Sequence, residues 1–79
     1  MNDRIIKESV FKLINEKFEI PINEIIGSSR FKEDIGADSL ASIEFIMDLE
    51  DELDIMISDD IYSELITVND LIKYIIKIK

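Results

Sequence analysis

Apolar residues recur with helical spacing at both ends of the chain and predict an amphipathic helix at each. The first pattern spans Asp3 to Phe18, with Asn2 or Asp3 as the N-cap. Its apolar face consists of Ile6, Val10, Leu13 and Ile14. The last pattern follows Thr67, which resembles the start of a capping box with Asp70 in the Glu position. Its apolar face consists of Val68, Leu71, Ile72 and Ile75.

Turn-forming residues interrupt the chain after the first helix, so residues 19–37 are predicted to form a long loop. They are Pro21, Gly27, Ser28, Ser29 and Gly36. A loop of this length in a small domain needs apolar anchors. We expect six residues to pack across the bundle: Ile20, Ile22, Ile25, Ile26, Phe31 and Ile35.

A second helix is predicted from Asp38 or Ser39 to about Leu53, and it is apolar on two opposite sides. The core side holds Phe45, Ile46, Leu49 and Leu53. The opposite side holds Leu40, Ile43 and Met47, interleaved with Glu44, Asp48 and Asp51. Burial would strip these carboxylates of water, so we interpret this side as an exposed docking surface for a protein. The alternative is that the apolar residues pack beneath the loop.

A short third helix completes the predicted architecture. Ser58 precedes Asp59 and Asp60, and acids at this position favour a helix start, so a helix is expected to about Leu65. No stretch alternates with a period of two for long enough to predict a strand. The expected fold is all-α: one domain over residues 1–79, a four-helix bundle with three long helices, one short helix and a long first loop.

Negative charge is concentrated in the middle of the chain. Residues 31–60 carry eleven acids and a single base, Lys32, within a net charge of −9. This charge disfavours nucleic acids and anionic membranes as partners, and it complements basic protein surfaces. No apolar run approaches the length of a signal peptide core or of a membrane span, so we expect a cytoplasmic protein without membrane insertion. We also expect a monomer.

The absence of Cys and His argues against an enzyme and against a transition-metal site, because the usual nucleophile, base and ligands are missing. Alternating acids at Asp48, Glu50, Glu52 and Asp54 raise the alternative of an EF-hand. That loop needs Gly at its sixth position, where this register has Leu53. No metal site is therefore expected.

A longer motif surrounds the start of the second helix. The run FKEDIGADSL occupies residues 31–40, and the run IEFIMDLEDELD occupies residues 43–54. On these residues the chain resembles bacterial-type, free-standing acyl carrier proteins over almost its whole length. The resemblance implies that a phosphopantetheinyl transferase attaches 4′-phosphopantetheine to Ser39, which lies between Asp38 and Leu40. The arm would supply the thiol that the chain lacks.

The resemblance also implies a function and a set of contacts. Growing acyl chains would be carried as thioesters and delivered to fatty-acid biosynthesis enzymes with basic docking surfaces. The implied partner contacts are Leu40, Ile43, Glu44, Met47, Asp48, Glu50, Asp51, Ile61 and Tyr62. Ala41, Ser58 and Tyr62 depart from the usual family pattern, which leaves a pathway-specific carrier and the size of an acyl pocket open.

Two alternatives remain at this stage. The first is a carrier for polyketide, aminoacyl or peptidyl intermediates, which shares the modified serine. The second is an acidic interaction domain without a prosthetic group, in which Ser39 only caps the helix.

Overall fold

The computed structural model describes residues 2–78, which form three α-helices and two 3₁₀ helices. The α-helices are α1, Asp3–Phe18; α2, Ser39–Leu53; and α3, Val68–Ile78. The 3₁₀ helices span Ile22–Glu24 and Asp59–Glu64. Within this part of the chain there is no strand, only an isolated antiparallel bridge between Arg30 and Thr67. The predicted bundle of three long helices and one short helix is confirmed. The predicted short helix is the 3₁₀ helix Asp59–Glu64.

The core forms where α1 packs against both α2 and α3. Every residue predicted for the core faces of α2 and α3 is buried, and in α1 only Leu13 remains partly exposed. The side chains that are almost fully enclosed are Ile6, Val10, Ile14, Phe45, Leu49, Val68, Leu71 and Ile75. Burial of these apolar side chains provides the main driving force for folding.

Local capping explains where the helices begin. Asn2 Oδ1 accepts a 2.9 Å hydrogen bond from the backbone N–H of Ile5 at the start of α1. Before α3, the Thr67 hydroxyl accepts from the Asp70 N–H at 3.1 Å, and the Asp70 carboxylate accepts from the Thr67 N–H at 3.0 Å. This reciprocal pair satisfies two backbone donors and confirms the predicted capping box.

The long loop is anchored by fewer apolar residues than expected. Ile25 is buried, and Ile20, Phe31 and Ile35 are partly buried against the core. Ile22 and Ile26 are exposed, so their prediction as anchors was wrong. Ile22 lies in a 3₁₀ turn after Pro21, and Ile26 begins a turn closed by the buried Ser29 hydroxyl, which accepts from the Ile26 N–H at 3.1 Å.

Backbone hydrogen bonds to the start of α3 hold the loop instead. The N–H of Phe31 donates to the Ile66 carbonyl at 3.0 Å, and the N–H of Val68 donates to the Ser29 carbonyl at 3.0 Å. The N–H of Asn69 donates to the Gly27 carbonyl at 2.8 Å. A Cβ at Gly27 would collide with the Asn69 side chain, so glycine permits this close approach.

The Ser39 site and the exposed face of α2

Ser39 is the first residue of α2, and its side chain is exposed. The neighbouring Asp38 caps the helix, because its Oδ1 accepts a 2.8 Å hydrogen bond from the Ala41 N–H. The cap is therefore provided by Asp38, which leaves the Ser39 hydroxyl at the surface of the helix start. This geometry removes the main support for the interpretation of Ser39 as a cap.

A compact turn positions Ser39. The N–H of Ala37 donates to the Phe31 carbonyl at 2.8 Å, and the Ala37 side chain is buried. Gly36 adopts a φ of 80°, in the left-handed region that favours glycine, and so reverses the chain just before the helix. At the start of the turn, the Asp34 carboxylate accepts from the Arg30 N–H at 2.8 Å.

A surface groove runs past Ser39 and meets a small apolar cavity. Asp38, Ser39, Lys32 and Glu33 contribute to the outer wall of the groove. The cavity has a volume of about 80 Å³ and is lined by Phe18, Phe31, Ala37, Ser42, Phe45, Ile46, Tyr62 and Leu65. The groove and the cavity share Phe31, Ala37, Ser42, Tyr62 and Leu65. Ser39 thus lies at the outer end of a path that leads into the bundle.

Three phenylalanines build the inner end of this path. The Phe45 ring lies between those of Phe18 and Phe31, with centroid distances of 6.0 and 5.7 Å and tilted planes. Such tilted contacts are favourable beyond the area that they bury. The cavity wall is therefore both apolar and well packed.

The second apolar side of α2 faces outward, as the sequence predicted. Leu40, Ile43 and Met47 are 67%, 43% and 57% exposed, and they do not pack beneath the loop. The carboxylates of Glu44, Asp48 and Asp51 are exposed as well. The outward orientation is confirmed, whereas the use of these residues as partner contacts stays a prediction.

Two lysines of α1 form ion pairs with acids of α2, a feature that the sequence analysis missed. Lys17 Nζ is 3.7 Å from Glu44 Oε1 and 3.5 Å from Asp48 Oδ2. Lys12 Nζ is 3.7 Å from Glu52 Oε1. These ion pairs join residues on different helices, so no local sequence pattern indicates them.

The remaining residues of the predicted contact set have internal partners. Glu50 is half-buried, and its Oε2 accepts a 2.8 Å hydrogen bond from the Ile57 N–H. Ile61 is half-buried against the core, and Tyr62 lines the cavity. Burial raises the pKa of the Tyr62 hydroxyl most, and the negative charges of Asp59 and Glu50 raise it further. Glu50 therefore has a structural role that its sequence position did not predict.

The acids of residues 2–78 do not form a metal site of the usual kind, since no three of them converge on one point in this part of the chain. None of the helices described combines the length and the apolar character that a bilayer crossing demands.

Comparison with known proteins identifies the family. Residues 8–75 match the family model described as the phosphopantetheine attachment site. The chain is 47% identical over 77 residues to the acyl carrier protein of Karelsulcia muelleri, a match that covers 98% of this chain and 90% of that protein. It is 40% identical over 77 residues to the acyl carrier protein of Chlorobium phaeobacteroides, covering 98% and 99%. The chain belongs to the acyl carrier protein family.

The fold agrees with this assignment. The structure of the acyl carrier protein from Enterococcus faecalis superimposes with a TM-score of 0.83, at 31% identity and with 98% of each chain covered. Acyl carrier proteins are carriers and not enzymes, and their cofactor is phosphopantetheine, so both predictions are confirmed. An exposed serine hydroxyl beside an open groove fits that group, because a phosphodiester there would meet no packed side chain.

Proposed function

We propose that Ser39 receives 4′-phosphopantetheine and that the chain then carries growing acyl groups as thioesters for fatty-acid biosynthesis. The observation that supports this most directly is the placement of Ser39, which is exposed at the start of α2 while Asp38 caps the helix. A large modifying enzyme needs such access. Ser39 needs no activating base of its own, because the transferase supplies the catalysis.

The attachment is a phosphoryl transfer to this hydroxyl. A bond forms between Ser39 Oγ and the phosphorus of coenzyme A that carries the pantetheine, the bond to the adenosine bisphosphate breaks, and the serine proton passes to a base of the transferase. The chain contains no Cys, so the arm supplies the only thiol. All thioester chemistry is thereby restricted to one position.

The groove and the cavity give an acyl chain a route away from water. The cavity of about 80 Å³ is about half the roughly 150 Å³ of an engineered apolar cavity that binds benzene. A short acyl segment therefore fits without rearrangement, and a longer one requires the cavity walls to separate. Tyr62 and Leu65 are among the residues that line both the groove and the cavity.

The exposed face of α2 suits a phosphopantetheinyl transferase and acyl-processing enzymes with basic docking surfaces. Leu40, Ile43 and Met47 provide an apolar centre, and the surrounding carboxylates attract and orient basic side chains. The same negative field argues against nucleic acids as partners. We further propose that the chain works as a single carrier domain, as a monomer, in the cytoplasm.

Mass spectrometry tests the attachment directly. Incubation with coenzyme A and a phosphopantetheinyl transferase should add one 4′-phosphopantetheine to the wild type and none to Ser39→Ala. Ser63→Ala is the matched control, because Ser63 lines the same groove from the second 3₁₀ helix and should leave the modification intact. An unmodified wild type, or a modified Ser39→Ala variant of native helical content, would contradict the proposal.

A further inference from the structure

The carboxylates on the exposed face of α2 are not equivalent. Glu44 and Asp48 lie within 3.7 and 3.5 Å of the same ammonium group, that of Lys17 on α1. Asp51 is exposed, and no basic side chain among residues 2–78 forms a salt bridge with it. One side of the face is therefore partly neutralised by the protein itself, while the other keeps its full negative charge.

Burial distinguishes the lysine from its partners. Only 27% of the Lys17 side chain is exposed, whereas 55% of the Glu44 side chain and 52% of the Asp48 side chain are exposed. A lysine that covers its stem while its charged end reaches water loses little entropy when it forms an ion pair. The positive charge is thus held in place, and both carboxylates remain open to an incoming partner.

From this arrangement we propose that Lys17 is an internal counter-ion that competes with the basic side chains of partner enzymes for Glu44 and Asp48. The inference rests on the proposed docking function of α2. A partner that uses these carboxylates must displace or tolerate the lysine, whereas a partner that uses Asp51 meets no such competitor. Lys17 therefore weakens docking on the α1 side of the face and favours partners whose basic residues reach Asp51.

Weaker docking suits a carrier that must dissociate from each partner enzyme. Exposed ion pairs contribute little free energy, so the competition lowers affinity without abolishing it. Salt also weakens ion pairs between exposed charges. The effect of Lys17 should accordingly be largest at low ionic strength.

The test compares Lys17→Gln with Lys73→Gln, a variant with the same change in net charge. Lys73 is exposed on α3, which packs chiefly on α1. With a phosphopantetheinyl transferase and coenzyme A at low ionic strength, Lys17→Gln should lower the KM for the carrier about two- to fivefold, the range of one exposed ion pair. The value of kcat should not change, Lys17→Arg should behave as the wild type, and Lys73→Gln should have a clearly smaller effect.

A variant that lacks both carboxylates separates local competition by Lys17 from the effect of a changed net charge. In the Glu44→Gln, Asp48→Asn variant, adding Lys17→Gln should lower the KM no more than Lys73→Gln does, since the carboxylates that it frees are gone. A larger decrease in that variant would overturn the inference while leaving Ser39 modification intact. So would a decrease for Lys17→Gln alone that only equals the decrease for Lys73→Gln. A wild type that the transferase does not modify would overturn the proposed function, and this inference with it.

Discussion

The Oε2 atom of Glu50 accepts a 2.8 Å hydrogen bond from the backbone N–H of Ile57, seven residues along the chain. The bond spans the chain reversal at Asp54 and ties the last turns of α2 to the segment that precedes the second 3₁₀ helix. Ile55 and Ile57 are buried on either side of the exposed Met56. A residue that the family resemblance placed among the partner contacts thus holds together the end of α2.

Replacement of Glu50 should therefore act on stability. Glu50→Ala leaves the Ile57 N–H without its acceptor, which should lower the free energy of unfolding by about 1–3 kcal/mol. Glu50→Gln retains a carbonyl acceptor and should lose less. Urea denaturation followed by circular dichroism measures both.

The matched control is Asp51→Ala, one residue further along the same helix turn and exposed. It should change stability by less than about 0.5 kcal/mol and should instead raise the KM of a transferase for the carrier. Equal losses of stability in Glu50→Ala and Asp51→Ala would show that the bond to Ile57 contributes nothing.

Truncation of a side chain should lower the free energy of unfolding much more on the core side of α2 than on its exposed apolar side. Met47→Ala should change the free energy of unfolding by less than about 0.5 kcal/mol, as expected for exposed positions. Leu49→Ala, at a fully buried position on the other side, should cost about 2–5 kcal/mol. Thermal unfolding of the two variants measures the contrast.

Transferase kinetics complete this comparison. Met47→Ala should raise the KM for the carrier, because the apolar centre of the proposed docking face is lost. A stability loss of 2 kcal/mol or more in Met47→Ala would assign this residue to the core and exclude the docking interpretation.

The sequence predicted the features that depend on local periodicity and capping. The bounds of α1 and α2, the capping box at Thr67 and the outward side of α2 follow from residues close together in the chain. Such signals are strong because each helix face and each cap is decided within one or two turns.

Features that depend on distant pairing were not predicted. The ion pairs of Lys17, the bond from Ile57 to Glu50 and the hydrogen bonds between the loop and α3 join residues whose proximity arises only after packing. The exposure of Ile22 and Ile26 has the same origin, since hydrophobicity indicates what can be buried and not which residues a turn directs outward. The sequence thus predicted which apolar side of α2 faces outward, and it did not predict the contacts that hold the surrounding residues in place.

The left-handed residue at the end of α2 offers a stabilising substitution. Asp54 has a φ of 54°, a conformation that is strained for residues with a Cβ and favourable for glycine at a helix C-terminus. Asp54→Gly should raise the free energy of unfolding by about 0.5–1 kcal/mol, as measured by urea denaturation. Asp54→Asn separates the loss of charge from the relief of strain, because it removes the charge and keeps the Cβ. A Gly variant no more stable than the Asn variant would contradict the conformational explanation.

The raised pKa of Tyr62 predicts how the free energy of unfolding changes at high pH. Burial, reinforced by the negative charges of Asp59 and Glu50, raises the pKa of its hydroxyl above the usual value, which is about 10. The folded state then retains a proton that the unfolded state releases. The resulting stabilisation is fully present below the unfolded pKa, and it is lost as the pH rises through the folded pKa.

Urea denaturation from pH 8 to pH 12, a range that brackets the usual tyrosine pKa of about 10, tests this relation. The free energy of unfolding of the wild type should fall more steeply above pH 10 than that of Tyr62→Phe, which has no hydroxyl to titrate. Asp59→Asn should give an intermediate slope, because it removes the second of the causes that raise this pKa. Identical slopes for the wild type and Tyr62→Phe would show that folding does not perturb this hydroxyl, and the buried side of the groove would then be wetter than its apolar lining indicates.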